Sequence, residues 1–316
     1  MTTSPSAGAR SRIGRGPMTQ AGRARASGRR KAVAAAGLDC ATAFSKMAQD
    51  CVAGVKAHHG SACAGDAEAV HRIRVAITRL RAAVSFFAPI AVDAEWLRLK
   101  REIAWLNVSL GAARDSDVMV AYARRRRYQA WAGRAIGADL DRRRTQDHRR
   151  LVSCLRSARA RRLIEALAVW TRQGPWLARW EAVARRGDAE PLQAYCGREL
   201  NRWRERLIRQ GRHLSSLGAA RRHRLRIRAK RFRYMLEALT DIVAMRRRAE
   251  VRPMHDAAKR LQRTLGDLRD LRRFAGLSPS ADKRDKRRPP GYRRQREKLG
   301  NAAAQAWRDL KQAGAC

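Results

Sequence analysis

Two segments of this chain carry the same run of cations at the same spacing. The first reads His71-Arg72-Ile73-Arg74-Val75-Ala76-Ile77-Thr78-Arg79-Leu80-Arg81; the second, 152 residues later, reads His223-Arg224-Leu225-Arg226-Ile227-Arg228-Ala229-Lys230-Arg231-Phe232-Arg233. A guanidinium group can hold phosphate oxygens two at a time, and histidine adds a donor that gains charge as pH falls. The chemistry these residue types suggest is anion capture. At about 100° per residue, with His71 at zero, Arg74, Thr78 and Arg81 fall within about 80° on one side and Arg72 and Arg79 within about 100° on the other. Ile73, Ala76, Ile77, Leu80, Val84 and Phe87 take the opposite arc. In the second copy His223, Arg226, Lys230 and Arg233 line the polar face, flanked by Arg224 and Arg231, while Leu225, Ala229, Phe232, Leu236 and Leu239 face the core. Both segments are amphipathic helices with a basic face, on which successive turns set cations about 5 Å apart. A solvated face usually mixes both signs, yet no carboxylate stands between His71 and Arg81 or between His223 and Arg233. Such a ladder suits a ligand that repeats its negative charge along its length.

A second motif repeats downstream in the same order. Leu106, Leu110, Gly111, Arg114 and Asp115 match Leu261, Leu265, Gly266, Arg269 and Asp270 at an offset of 155. Two matches at nearly equal offsets indicate an internal duplication. Gly111 and Gly266 are expected to allow close approach of helices, and Asp115 and Asp270 to orient neighbouring guanidinium groups and keep the cations in register. The alternative, that the aspartates hold a metal together with Asp117, needs oxygen ligands converging from several helices. Cys51, His58, His59 and Cys63 are spaced too loosely for a metal site and read as helix-packing thiols beside exposed histidines. No cofactor is expected.

These motifs must sit on helices, because runs of Ala, Leu and Arg with apolar residues three and four apart recur and alternating β-branched stretches are missing. The pattern predicts helices near 38–58, 66–88, 93–126, 137–172, 189–214, 220–246, 250–276 and 291–313. Breaks are expected at Gly60 to Gly65, Pro89, Gly133, Gly174-Pro175, Gly211 to Gly218, at or just before Pro253, and from Ser278 to Gly291. The fold class is therefore all-α, with eight helices dividing into two sets of four, 38–188 and 189–316. Residues 1–37, with eight basic and no acidic side chains, read as a disordered basic arm; they also resemble a transit peptide, or an overextension before Met18.

The composition points the same way. Of 316 residues, 71 are Lys or Arg and 28 Asp or Glu, a formal charge of +43. The arm holds +8 and residues 279–316 hold +7, which leaves +28 on the helical core between them. Packed helices carrying that much repulsion are best explained by a polyanionic partner. No apolar stretch approaches the roughly 20 residues that cross a bilayer, and no signal-peptide core opens the chain. Six scattered cysteines fit free thiols in a reducing compartment. The expectation is a soluble, cytoplasmic protein without membrane contact.

The pattern His-x-x-Arg-x-x-x-x-Arg-x-Arg, repeated and each time followed by Leu-Gly-x-x-Arg-Asp, resembles the CHAD domain, the conserved histidine α-helical domain family. The segment His223 to Glu237 is the closer match, and Ser157 to Trp170 resembles the family's fourth helix; the likeness covers about 38–313. It implies two pseudo-symmetric four-helix bundles around a shared basic groove or pore, binding of inorganic polyphosphate, and association with polyphosphate granules. Carried over by position, the family's basic surface falls on His71, Arg72, Arg74, Arg79, Arg81, Arg114, His223, Arg224, Arg226, Lys230, Arg231, Arg233 and Arg269. Lys100, Arg101 and Lys259 extend it, and Tyr234 offers a phenolic donor or packs at the groove edge. Thr78 departs from the family, which commonly has a basic residue there; the first half then grips less tightly or uses the hydroxyl as a neutral donor.

CHAD domains are often fused to triphosphate-hydrolysing CYTH domains, but this chain has neither the Glu-x-Glu-x-Lys signature nor the strands for that tunnel. It has no P-loop either. Phosphoryl transfer generally needs carboxylate-bound Mg²⁺, and the motif faces lack carboxylates, so a non-enzymatic binding module is favoured over a metal-dependent phosphohydrolase. The competing partner is nucleic acid, for which the net charge is an ordinary credential. The eight tryptophans lie mostly among Leu, Ile and Val at helical spacing, however, and the basic faces lack the interleaved aromatics that stack single-stranded bases.

Overall fold

Aspartates open the first helices. Asp39 accepts a hydrogen bond from Thr42 N (2.7 Å) and starts α1, Cys40–Cys63; Asp66 accepts from Glu68 N (2.8 Å) and starts α2, Ala67–Phe86. A short helix α3, Ala88–Ala91, turns the chain into α4, Ala94–Ala123, capped by Asp93 on Trp96 N (2.6 Å). Then follow α5 (Arg126–Arg156), α6 (Ala158–Gln173), α7 (Pro175–Arg185) and α8 (Leu192–Gly211). The chain ends with α9 (Ala219–Ile242), α10 (Arg248–Phe274) and α11 (Tyr292–Gln312). The structure is a computed structural model that describes residues 38–242, 248–277 and 288–314. Among the described residues there is no strand, and no helix is long and apolar enough to cross a membrane. The expected basic arm, 1–37, lies outside them, as do the end of the helix expected to 246 and most of the break expected from Ser278.

Helices adjacent in sequence pack together: α1 on α2, α4 on α5, α9 on α10 and α10 on α11. The sequence halves are joined by α2 on α9 and α4 on α10, so the helices bearing both repeated motifs meet across the molecule, and by Tyr195 and Trp203 of α8 against Phe86 at the end of α2. The described residues from Asp39 onward form one compact unit. Its main core runs from Phe44, Ile73, Leu80 and Phe86 through Trp170 and Trp176 to Phe232, Leu236, Leu261 and Leu310. A smaller core gathers Tyr122, Tyr128 and Leu140 with Leu271 and Phe274.

Several boundaries differ from the sequence pattern. The break expected from Gly60 begins only after Cys63, since α1 runs through Gly60, and Pro89, expected to break the chain, lies in the first turn of the short helix α3, where its missing N–H costs nothing. The long helix expected over 137–172 is two: it breaks at Ser157, whose hydroxyl accepts from Ala160 N (3.2 Å) and caps α6. A serine can trade helix interior for an N-cap without any Gly or Pro to announce it. In contrast, Gly133 does mark a kink, at φ 58° and ψ −176°, but the helix resumes on both sides and α5 begins at Arg126. The segment 175–185, expected to connect, is α7, with Pro175 at its first turn. Gly174 is obligatory before it, since a Cβ would lie 2.6 Å from Trp170 O and 2.7 Å from two indole rings. Finally, α10 runs through Pro253. The proline forfeits one backbone bond near the start, while Val251, Met254, Ala257, Ala258 and Leu261 keep a continuous buried face around it.

Asp93 does more than cap. Its carboxylate also accepts from Trp170 Nε1 (3.2 Å), tying α6 to the start of α4, the helix that carries Arg114 and Asp115. Asp93→Ala removes a cap and leaves a buried indole donor unpaired. It is expected to cost about 2 kcal/mol, read in a thermal melt as a fall of about 5 °C in Tm.

Candidate anion-binding site

The apolar faces of α2 and α9 are buried as their periodicity requires: Ile73, Ala76, Ile77 and Leu80 on one, Leu225, Ala229, Phe232, Leu236 and Leu239 on the other. That leaves the basic faces, and their centre is not on the open surface. Arg74 and Arg226 are largely buried beneath α4 and α10, so Arg226 does not point freely away from the packed interior. Burial pushes both guanidinium groups below their ordinary range; Asp115 opposes this at Arg74 while Arg114 and Arg269 add to it, and at Arg226 the repulsion comes from Arg269 and Arg74. Arg226 Nε is buried, with no hydrogen-bond partner among the described residues.

Lys230, between them on α9, is held down to about 7, by burial first and then by Arg226, Arg74, Arg233 and Arg114. His71 is lowered by burial and by Arg114, Lys230 and Arg74, against the pull of Glu68; His223 is lowered by burial, Arg226 and Arg269. Seven of the predicted cations, His71, Arg74, Arg114, His223, Arg226, Lys230 and Arg269, thus come together from four helices and repel one another.

Carboxylates reach this cluster from outside the two basic runs. Asp115 on α4 accepts from Arg269 Nη2 (3.1 Å) and Arg273 Nη1 (2.6 Å) of α10, while Asp270 accepts from Arg269 Nε (2.9 Å). These contacts fix Arg269, whose pKa rises despite burial because Asp270 and Asp115 outweigh it. Asp117 takes no part: its Oδ1 accepts from Arg144 Nε (2.8 Å) and His148 Nε2 (2.9 Å) of α5. A Cβ at Gly111 would meet Arg74 Nη1 at 3.5 Å and one at Gly266 would meet Arg226 Cδ at 3.9 Å, so each lies beside the motif arginine of its own half with no neighbouring backbone near.

The expectation of carboxylate-free basic faces needs a further correction at Glu237, one turn beyond Arg233. Its Oε1 accepts from Arg233 Nη1 (2.6 Å) and pairs with His255 Nε2 (3.0 Å), and its Oε2 accepts from Arg79 Nη2 (3.2 Å) across the α2–α9 contact. Burial alone would raise this carboxyl, but His255, Arg233 and Arg79 prevail and hold it below its usual range. Arg233 Nε also donates to Gln262 Oε1 (2.9 Å). Tyr234 is buried, with Arg79, Lys230 and Arg233 at 5.2, 5.4 and 4.4 Å from its ring centroid. Its ring is a seat for three cations, and burial raises its hydroxyl. A cavity of about 530 Å³ opens beside this network, lined by His58, His71, Arg79, Tyr234 and Glu237.

The remaining predicted residues lie apart. Arg231 is lowered by burial, Arg81 and Arg228, which places a second, smaller group of like charges on the other flank of the α2–α9 contact. Arg72 is exposed and pairs with Glu68 (3.3 Å), and Arg224 is exposed. Lys100 and Lys259 are exposed. Arg101 acts on Glu102, next to Arg98 and Arg159, on the outer side of α4. Thr78 donates to Arg74 O (2.7 Å), so its hydroxyl proton is spent on its own helix. The sequence pattern missed Glu237, His255, Gln262 and Arg273. Glu237 was detectable, four residues after Arg233 at the spacing that pairs charges on a helix; the others come from a different helix.

Fold and cluster together define an all-helical protein built around a half-buried, self-repelling set of cations. The family model of the CHAD domain matches residues 46–278, and the chain belongs to that family, which is linked in general to polyphosphate binding. Among solved structures it is similar to the crystal structure of the CHAD domain from the plant Ricinus communis, with 24% identity, a TM-score of 0.68, and coverage of 89% of this chain and 94% of that one. It is also similar to PptA from Streptomyces chartreusis, with 14% identity, a TM-score of 0.55, and coverage of 86% and 98%. No curated protein matches the chain.

Proposed function

We propose that this chain binds inorganic polyphosphate without chemical turnover, in a groove between two similar helical halves, and that binding takes it to polyphosphate granules. The observation that carries this is the cation cluster: Arg74, Arg226 and Lys230 are held together against burial and mutual repulsion, and Arg226 Nε has no acceptor among the described residues. A folded chain gains nothing from such an arrangement unless an anion with many oxygens offsets it. Catalysis of phosphoryl transfer is disfavoured, because Asp115, Asp270 and Glu237 are each engaged by arginines. Nucleic acid is disfavoured because Trp96, Trp170, Trp176 and Trp180 are buried and Tyr234 is covered by cations, which leaves the cluster without a stacking platform.

The test is a competition of long-chain polyphosphate against DNA and RNA at physiological salt and equal phosphate concentration. Polyphosphate is expected to win, with an affinity that falls steeply with salt; preference for nucleic acid overturns the proposal. Glu237 supplies a prediction of opposite sign to any loss of charge. As an internal anion it occupies Arg79 and Arg233, so Glu237→Gln is expected to tighten polyphosphate binding by about threefold while lowering Tm, the ordinary cost of removing a paired charge. Isothermal titration and a thermal melt on the same sample check both signs.

A further inference from the structure

A second basic cleft lies away from the cluster. It is a cavity of about 960 Å³ between the turn that follows α1 and one face of α5, lined among others by Cys63, Arg144, His148, Arg149, Ser153 and Arg156. None of His71, Arg74, Arg114, Arg226, Lys230 or Arg269 lines it.

The charges of α5 are distributed unevenly. Six arginines lie between Arg142 and Arg156. Four have carboxylate partners: Arg142 and Arg143 share Asp139 (3.5 and 2.7 Å), Arg144 takes Asp117 (2.8 Å), and Arg150 takes Asp147 (3.9 Å). Among the described residues Arg149 and Arg156 have no carboxylate partner, and both line the cleft. Arg156 is nonetheless held in place, since its Nη2 donates to Cys63 O (3.1 Å) at the end of α1. The two are seven residues apart, about 10 Å along the axis, which is longer than one phosphate group. Ser157, at the far end of the cleft, caps α6 and brings the positive end of that helix to the same rim. The lining contains no Phe, Tyr or Trp, so the only planar groups a base could stack on are the His148 imidazole and the guanidinium groups themselves.

We propose that this cleft is a second anion site, which takes a short linear oligophosphate such as tripolyphosphate independently of the central cluster. Arg149 and Arg156 hold successive phosphates, and Arg144 and His148, braced by Asp117, hold the near end. The anion-holding residues differ from those of the central site, α4 being shared only through the bracing Asp117, and the inference stands whether or not the central site binds polyphosphate.

The experiment is a calorimetric titration of the full chain with tripolyphosphate at fixed ionic strength. It compares the wild type with Arg149→Gln/Arg156→Gln and with Arg226→Met. The double cleft variant is expected to lose one class of site, with binding there weakened about tenfold or more, and Arg226→Met is expected to keep it. Because Arg156→Gln also removes a contact to α1, Arg149→Gln alone, at an exposed position, is expected to weaken the site about threefold with Tm unchanged. ATP is expected to bind this site no more tightly than tripolyphosphate. The proposal is overturned if the double variant binds as the wild type does, if sulfate at equal ionic strength displaces tripolyphosphate equally from both proteins, or if ATP binds the cleft tenfold tighter. Failure of the central proposal would appear separately, as an unchanged affinity for long chains in Arg226→Met.

Discussion

Exchange of Arg74 and Arg226 together for methionine is expected to raise the thermal midpoint of this protein and to remove most of its polyphosphate binding. Both guanidinium groups are largely buried and both are pushed down by burial and by neighbouring cations. Methionine keeps the length and much of the volume of the side chain, fills irregular space well, and removes two of the charges that repel one another there. The exchange orphans no carboxylate, because Asp115 retains Arg269 and Arg273, and Asp270 retains Arg269. It breaks no bond of Arg226 Nε, which has none among the described residues. The expected gain in Tm is about 3–6 °C, equivalent to roughly 1–2 kcal/mol. The expected loss in affinity for long-chain polyphosphate is about 100-fold, or roughly 2.7 kcal/mol. Calorimetry and titration on one preparation measure both. A lower Tm with unaltered binding would mean that the two arginines serve the fold, and the central proposal would fail with it.

The opposition of stability and binding explains which parts of the molecule were legible in the sequence. The faces of α2 and α9 followed from periodicity alone, because Ile73, Leu80, Leu225 and Phe232 have one place to go. The last helix, expected at 291–313, is Tyr292–Gln312, since Gly291 at φ 68° and the apolar Ala303, Ala306 and Leu310 mark it from both sides. Periodicity assigns a residue to a face, but it does not say whether another helix covers that face. Arg226 belongs by periodicity to a polar face, yet α10 covers most of it, whereas Lys100 and Lys259 are exposed. Pairings such as Glu237 with Arg79, or Asp115 with Arg269, join residues 158 and 154 positions apart. Only the packing of α2 on α9 and of α4 on α10 creates them.

Raising pH is expected to act in opposite directions on the free protein and on its complex, and Lys230 is the reason. In the folded chain its amine is held at about 7, against an ordinary value of 10.5. Between those values the unfolded chain binds the additional proton, so this residue makes stability rise with pH from about 7 to about 10.5. A bound polyanion reverses the preference, because a negative partner favours the charged amine. Over the same range the complex must then take up a proton that the free protein lacks. Affinity is expected to fall as pH rises above 7, with a limiting slope of about tenfold per unit for a single proton. Long chains make the test clean, since only terminal phosphates titrate near neutrality, around 6. Below about 6.5, protonation of His71 and His223, both depressed by burial and neighbouring arginines, adds a second rise in affinity. Lys230→Met separates the limbs: it is expected to flatten both the stability and the affinity profiles between pH 7 and about 10 while leaving the acidic limb in place. If wild-type affinity holds constant from pH 7 to about 9.5 and still responds to salt, polyphosphate does not engage Lys230, and the buried centre of the cation cluster is not where the polymer binds.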